Sequence, residues 1–193
     1  MIELYTWGTT NGRRPIIMLE EAQIPYELIP VDIKAGANRT PAHLAISPYG
    51  KIPAMIDTAP AGSGKVSLFE STAMLVYLGE KSGRFVGGAT VERADVTKWL
   101  MFSVANVLPI FSIMREHKEL EVQGAKLLDV MEKQLGQTEF IAGAYSIADM
   151  APVTRLAAFA DHDWLKTRPN VKRWLTTVMA RPAVAKALDM KIG

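Results

Sequence analysis

The feature that most restricts how this 193-residue chain can fold is a change of periodicity at GRFVGGAT, residues 83–90. Before it, apolar spacing alternates between period two and period 3.6. That pattern predicts strands over 2–7, 26–32, 54–57 and 66–69, and helices over 12–23, 41–46 and 70–82. After it the strand signal vanishes, and the spacing predicts helices over 90–116, 119–136, 147–161, 170–180 and 182–190. A chain patterned in this way divides into a small α/β unit, 1–82, a linker, 83–89, and an all-helical unit, 90–193. With 49% hydrophobic and 22% charged residues, it has enough apolar side chains to bury real cores. In the first unit the segment 26–32 follows the first helix closely, which predicts a parallel βαβ pair. DTAPAGSGKVS, 57–67, is rich in Gly and Pro and reads as the turn of an antiparallel hairpin. The four strands together make a mixed sheet.

Several functions are excluded by what the chain lacks. It has no cysteine, so disulfides, thiolate metal sites and a protein-borne thiol nucleophile are all ruled out. His43, His117 and His162 are too scattered for a histidine metal site, and no metal is expected. The formal charge is +2, with 7 basic and 8 acidic residues in 1–83 against 15 and 12 in 84–193. Neither half is a nucleic-acid footprint. The longest uncharged run, Trp99 to Met114, is interrupted by Ser103, Asn106, Pro109 and Ser112 and is too short and polar to span a bilayer. No signal peptide opens the chain, so a cytoplasmic protein that contacts neither membrane nor nucleic acid is expected.

Four local patterns carry chemistry. YTWGTTNGRRP, 5–15, is a strand that breaks at Gly8 into a polar turn, with Pro15 and the apolar run behind it reading as the first turns of a helix. Redox folds keep a reactive cysteine at such a corner, and here there is none. In GKIPA, Pro53 lacks an N–H, and a cis bond before it would turn the backbone of Ile52 outward as an unpaired edge for a peptide-like ligand. In FES, Glu70 and Ser71 fall where a strand ends and a helix starts. Free N–H groups, a hydroxyl and a carboxylate side by side suit an α-amino acid head group there. The alternative is that Ser71 only caps the helix and Glu70 only complements its dipole. SIAD, 146–149, is a capping box: Ser146 is expected to accept from the Asp149 N–H while the Asp149 carboxylate reaches back to the Ser146 N–H. The helix it opens, MAPVTRLAAFA, is nearly all apolar and so reads as central and buried.

Taken in order, YTWGTTNGRR, SPYGKIPAMID at 47–57, LFESTAMLVYLGEK at 68–81, SIADM and PNVKRWLTTVMARPAV at 169–184 resemble the cytosolic glutathione transferases across nearly the whole chain. The resemblance implies a thioredoxin-like N-terminal domain followed by an all-α C-terminal domain. The threonine and asparagine at the corner are most similar to the bacterial Nu-class enzymes, which are linked to glutathione conjugation and disulfide-bond reduction. On this reading the missing sulfur belongs to glutathione. Its thiol would face Thr9 and Asn11, whose hydroxyl and amide donate to the thiolate, Thr10 competing with Thr9 for that role though Thr9 matches the family position better, and Lys51, Ile52, Pro53, Glu70 and Ser71 would hold the tripeptide. Asn38 is placed by the resemblance against the glycine end. A pKa lowered by about one to two pH units from about 8.5 corresponds to roughly 1.4 to 2.7 kcal/mol and makes a substantial fraction of the thiol anionic at neutral pH. A homodimer is implied as well.

Several readings remain open. Asn11 and Asn38 can each serve as a cap or a loop-turn residue, and Lys51 can be a solvated surface charge. Arg13 and Arg14 are expected to solvate the first helix, and His43 to be exposed on the short second helix. Trp7, Met101, Val104, Leu108 and Phe111 either line an electrophile pocket or belong to the core. FSIMREHKELEVQGAK, 111–126, is shorter than the Nu-class pattern, which leaves acceptor specificity and the handling of a second glutathione open. A non-catalytic binding or interaction protein that keeps the glutathione site is the alternative function.

Overall fold

In the computed structural model, which describes residues 1–193, the chain forms two compact units. Met1–Gly83 joins Lys186–Gly193 in the first, and Arg84–Ala185 makes up the second. The first unit runs β1 (Ile2–Thr6), α1 (Thr10–Ala22), β2 (Tyr26–Pro30), α2 (Pro41–Ile46), β3 (Ala54–Asp57), β4 (Val66–Phe69) and α3 (Ser71–Ser82). The strands form one mixed sheet in the order β2-β1-β3-β4. β1 and β2 pair in parallel, Ile2 opposite Tyr26; β1 and β3 are antiparallel, ending at Tyr5 opposite Ala54; and β3 and β4 form the hairpin. Leu4 and Met55 on the strands, Ile16, Ile17 and Leu19 on α1, and Met74, Leu75 and Leu78 on α3 are fully buried and make the core. This is the expected thioredoxin-like arrangement, with strand edges moved by one or two residues. β2 stops at Pro30 because the Asp32 carboxylate accepts the N–H groups of Lys34 and Ala35 at 2.8 and 3.1 Å, turning the chain away.

The second unit is helical: α4 (Thr90–Phe102), α5 (Leu108–Ile113), α6 (Glu121–Leu135), α7 (Ile147–Leu156) and α8 (Pro169–Met179), with α9 (Pro182–Asp189) carrying the chain back to the first unit. The helix expected over 90–116 is interrupted. Pro109 has no N–H for the carbonyl four residues back, and a π-helical turn over Ser103–Val107 absorbs the loss before α5 resumes. Thr90–Ile113 spans 24 residues, and its most apolar stretch has a mean hydropathy of 1.5, long and apolar enough to cross a bilayer by length and composition. In this unit Val96, Leu100, Val107, Leu108 and Phe111 of that run are buried, while Met101 is exposed. Two of the residues considered for an electrophile pocket, Leu108 and Phe111, are therefore core.

The box at the start of α7 differs in one bond from the expected pattern. Ser146 Oγ accepts from the Ala148 N–H at 3.3 Å, and the Asp149 N–H goes to the Ser146 carbonyl instead. The Asp149 carboxylate does accept the Ser146 N–H at 3.0 Å, and it also takes the Ile141 N–H at 3.0 Å and the Trp174 indole N–H at 2.8 Å. Burial raises this carboxyl to about 6 against the lowering effect of those donors. The segment read as a linker is part of the helical unit, since the Phe85 carbonyl accepts the Ile147 N–H at 3.0 Å and its ring meets Tyr145 edge-on.

Candidate active site

The first corner is built by a close approach that only glycine allows. A Cβ on Gly12 would lie 2.3 Å from Thr6 Oγ1 and 2.4 Å from the Trp7 carbonyl oxygen, so the start of α1 rests directly on the end of β1. The helix begins at Thr10, earlier than the Pro15 signal suggested, because Thr9 is its N-cap: Thr9 Oγ1 accepts the Gly12 N–H at 3.1 Å. Pro15 consequently lies inside the helix. Asn11, in the first turn, is exposed and faces a cleft.

The loop between α2 and β3 forms one wall of that cleft. Ile52–Pro53 is a cis peptide, and Ile52 lies beyond the last β1–β3 pair with no backbone hydrogen bond to the rest of the chain. Three side chains from the preceding segment hold the loop by its backbone. Asn38 Nδ2 donates to the Gly50 carbonyl at 2.7 Å, Ser47 Oγ accepts the Lys51 N–H at 3.3 Å, and His43 Nε2 donates to the Lys51 carbonyl at 3.0 Å. His43 is 4% exposed, which corrects the expectation of a surface side chain. The Lys51 side chain itself is exposed, with its ammonium 5.2 Å from the centre of the Tyr49 ring.

The other wall is the start of α3. Glu70 holds φ at 73°, a conformation rare for a side-chain-bearing residue, and its carboxylate takes none of the free N–H groups of the first turn. Such strain at a helix entry is characteristic of binding sites. Ser71 is 6% exposed, and its hydroxyl oxygen accepts from Arg14 Nη1 at 3.1 Å, so the hydroxyl proton is free to point elsewhere. Arg14 is 3% exposed. The neighbouring Arg13 donates to the Ala187 carbonyl at 2.6 Å and also to that of Leu188. Neither arginine solvates α1, contrary to expectation.

The cleft of about 250 Å³ thus gathers Asn11, Lys51, Ile52, Pro53, Glu70 and Ser71 from among the expected residues, and adds Ser47, Tyr49 and Phe69. Two expected residues are not in its lining. Asn38 spends its amide on the loop behind the cleft, and Thr9 lies on an adjoining surface with Trp7, Arg13 and the chain's last residues, its oxygen accepting the helix-cap bond while its hydroxyl proton stays available. Phe69 ends the apolar strand β4, where an aromatic reads as core, and Tyr49 lies in a turn between Pro48 and Gly50 that carries no periodic signal, yet they are 43% and 68% exposed. Arg14 carried a faint signal: adjacent residues on a helix point about 100° apart, so of Arg13 and Arg14 only one can share the solvent face before the apolar run Ile16–Leu19. The arrangement presents a carboxylate, a helix start with a hydroxyl, a free backbone edge and an amide along one short groove. No cluster of His, Asp or Glu side chains gathers to hold a metal.

Comparison with known proteins identifies the family. The family description "Glutathione S-transferase, N-terminal domain" matches residues 10–81, and "Glutathione S-transferase, C-terminal domain" matches residues 107–182. A disulfide-bond oxidoreductase of Escherichia coli, YfcG, is 36% identical over 97% of this chain and 94% of its own length. A glutathione transferase family member from Pseudomonas fluorescens, crystallised with two glutathione bound, superposes with a TM-score of 0.91 at 33% identity, covering 97% of this chain and 92% of that one. A glutathione transferase from Pseudomonas putida, holding one glutathione disulfide per subunit, superposes with a TM-score of 0.91 at 29% identity over 98% and 91% of the two chains. With both domain descriptions matched in order and a relative this similar over nearly its full length, the chain belongs to the glutathione S-transferase family.

Proposed function

We propose that this protein binds glutathione along the cleft between Asn11 and Ser71 and uses its thiolate either to attack an electrophile or to reduce a disulfide. The observation that carries the reading is the convergence of Asn11, Ile52, Glu70 and Ser71 on one groove. Glu70, with no partner of its own, would meet the ammonium of the γ-glutamyl end, while the Ser71 hydroxyl and the free N–H groups of α3 would take its carboxylate. The backbone of Ile52 would pair with the central cysteinyl unit, and Lys51 would attract the glycyl carboxylate. Asn11 would then donate its amide to the sulfur. Thr9 acts at one remove by fixing the start of α1, which aims Asn11 and the positive end of the helix.

No residue of the chain need act as general base, because hydrogen bonds to the charged form lower the thiol pKa. In conjugation the sulfur forms a C–S bond and the displaced group leaves with the bonding pair. In reduction the thiolate attacks one sulfur of the disulfide and expels the other as thiolate; a second glutathione then attacks the mixed disulfide, so two glutathiones are oxidised to one glutathione disulfide. The naming of YfcG as an oxidoreductase and the glutathione disulfide in the P. putida structure support the second course. A homodimer in the cytoplasm, with a role in detoxification, is the corresponding cellular reading. The test combines a glutathione titration with a thiol-consumption assay against a model electrophile and a small disulfide. Turnover with either supports the proposal, whereas binding without turnover would make this a glutathione-binding protein without catalysis.

A further inference from the structure

We propose that His43 is a positioning residue for glutathione, acting through the peptide that joins Lys51 to Ile52. This inference rests on the reading of the cleft given above. His43 sits on α2, buried to 4% exposure, and its Nε2 lies 3.0 Å from the Lys51 carbonyl oxygen. A carbonyl only accepts, so Nε2 carries the hydrogen and the ring is held as that tautomer. Nδ1 is buried and meets no partner, which leaves Nε2 as the nitrogen through which the ring acts.

The carbonyl of Lys51 and the N–H of Ile52 belong to one planar peptide. In a trans peptide the two groups point in opposite directions. Holding the carbonyl toward α2 therefore aims the Ile52 N–H away from it, and that N–H meets no acceptor within the chain. Ile52 lines the cleft. Backbone of this kind, in a loop without ladder bonds, is free to rotate its peptide planes unless something pins them. The two other loop anchors do not supply this: Ser47 holds the Lys51 N–H and Asn38 holds the Gly50 carbonyl, the two ends of the single preceding peptide plane. His43 alone fixes the plane whose N–H faces the ligand. It touches no ligand itself.

The experiment compares the wild type with His43→Leu, His43→Gln and Ser71→Ala by calorimetric glutathione titration and steady-state kinetics. Loss of one buried hydrogen bond of this type predicts a Kd and KM for glutathione raised about three- to tenfold in His43→Leu, with kcat and the KM for the second substrate held near wild type. His43→Gln, whose amide N–H reaches a similar distance, should recover most of the affinity. That recovery separates positioning from packing, because both variants alter the shape of the buried site and both should melt below the wild type. If Ser71→Ala weakens binding and His43→Leu does not, or if Gln fails to restore what Leu loses, the inference is overturned while the cleft assignment stands. If Ser71→Ala leaves glutathione affinity unchanged, the cleft assignment itself fails, and the role of His43 with it.

Discussion

Exchanging the roles of Thr9 and Asn11 gives the sharpest test of the site. Asn11 lies in the cleft and is exposed, so water would partly replace its amide after Asn11→Ala. A hydrogen bond to a charged group contributes about 1.5–3 kcal/mol when well shielded. Partial replacement by water places Asn11 at the low end, about 1.4 kcal/mol, equivalent to one pH unit in the thiol pKa. The thiolate ultraviolet absorbance of bound glutathione should then titrate about one pH unit higher in Asn11→Ala, and kcat should fall up to about tenfold near neutrality while its alkaline plateau survives. Thr9→Ala has a different signature. It removes the acceptor for the Gly12 N–H, which costs about 1 kcal/mol of stability, and for a chain of this size that is a drop in Tm of about 2–4 °C. Its effect on the thiol should be smaller than that of Asn11→Ala. A titration curve unmoved by Asn11→Ala and moved by Thr9→Ala would refute the assignment, since it would mean that the capping oxygen, not the amide, meets the sulfur.

The remaining predictions concern binding and pH. Ser71→Ala should raise the glutathione Kd by about ten- to a hundredfold, through loss of a charge-assisted hydrogen bond, with a smaller change in kcat; calorimetry that shows no change would remove Ser71 from the site. Burial alone would raise the Asp57 carboxyl, but the Lys81 ammonium at 2.7 Å, the Ala59 N–H and the Tyr77 hydroxyl outweigh it and hold it below its ordinary value. A group lowered on folding contributes stability above its unfolded pKa and loses it as pH falls through the folded one, so Lys81→Met should begin acid unfolding at higher pH than the wild type. Asp149 has the opposite sign: raised to about 6, it binds its proton more tightly in the folded state, and its contribution falls as pH rises from about 4 to 6. Trp174→Phe deletes one of its donors and should cost about 1–3 kcal/mol at neutral pH, more than at acid pH, which thermal unfolding across that range would measure.

Much of the fold was legible because it rests on periodicity. β3 and β4 fall at the expected residues, and the switch to helices at 83–90 is where the first unit closes, at Gly83. What periodicity could not show was the return of the chain. Residues 186–193 belong to the first unit, fastened there by Arg13 and by the ion pair of Lys186 with Glu20 at 2.8 Å, contacts between residues far apart in sequence. The backbone around the candidate site was legible where a motif fixes it, as at the cis Ile52–Pro53 peptide and the helix entry at Glu70–Ser71. The site stayed ambiguous where the same residue type serves two ends. Asn38 and Thr9 are polar residues at turns, which either meet a ligand or satisfy the backbone, and here both satisfy the backbone. His43 and Arg14 were misread for the converse reason: a polar side chain on a short helix or beside a second arginine reads as exposed, and only the folded loop reveals the carbonyl and hydroxyl that justify burying them.

The absence of a cysteine from the corner also determines how the chemistry must respond to pH. Neither Thr9 nor Asn11 titrates in the accessible range, so the protein offers the sulfur fixed dipoles and no proton acceptor of its own at that point. On the proposed assignment the dependence of kcat on pH near neutrality is expected to follow the bound thiol, with a single inflection set by the donors around it. A second inflection, lost when a protein side chain is replaced, would require a base that the corner does not contain. On that assignment two bonds tune two separate quantities. Asn11 would alter the charge on sulfur directly, while the hydrogen bond of His43 to the Lys51 carbonyl would set how firmly the tripeptide, and hence the sulfur, is held in front of Asn11. If both assignments are right, Asn11→Ala shifts the inflection without changing affinity for glutathione measured below it, where the bound thiol is protonated, and His43→Leu changes affinity there without shifting the inflection. A variant that moved both together would show that the sulfur and the backbone edge are not separately held.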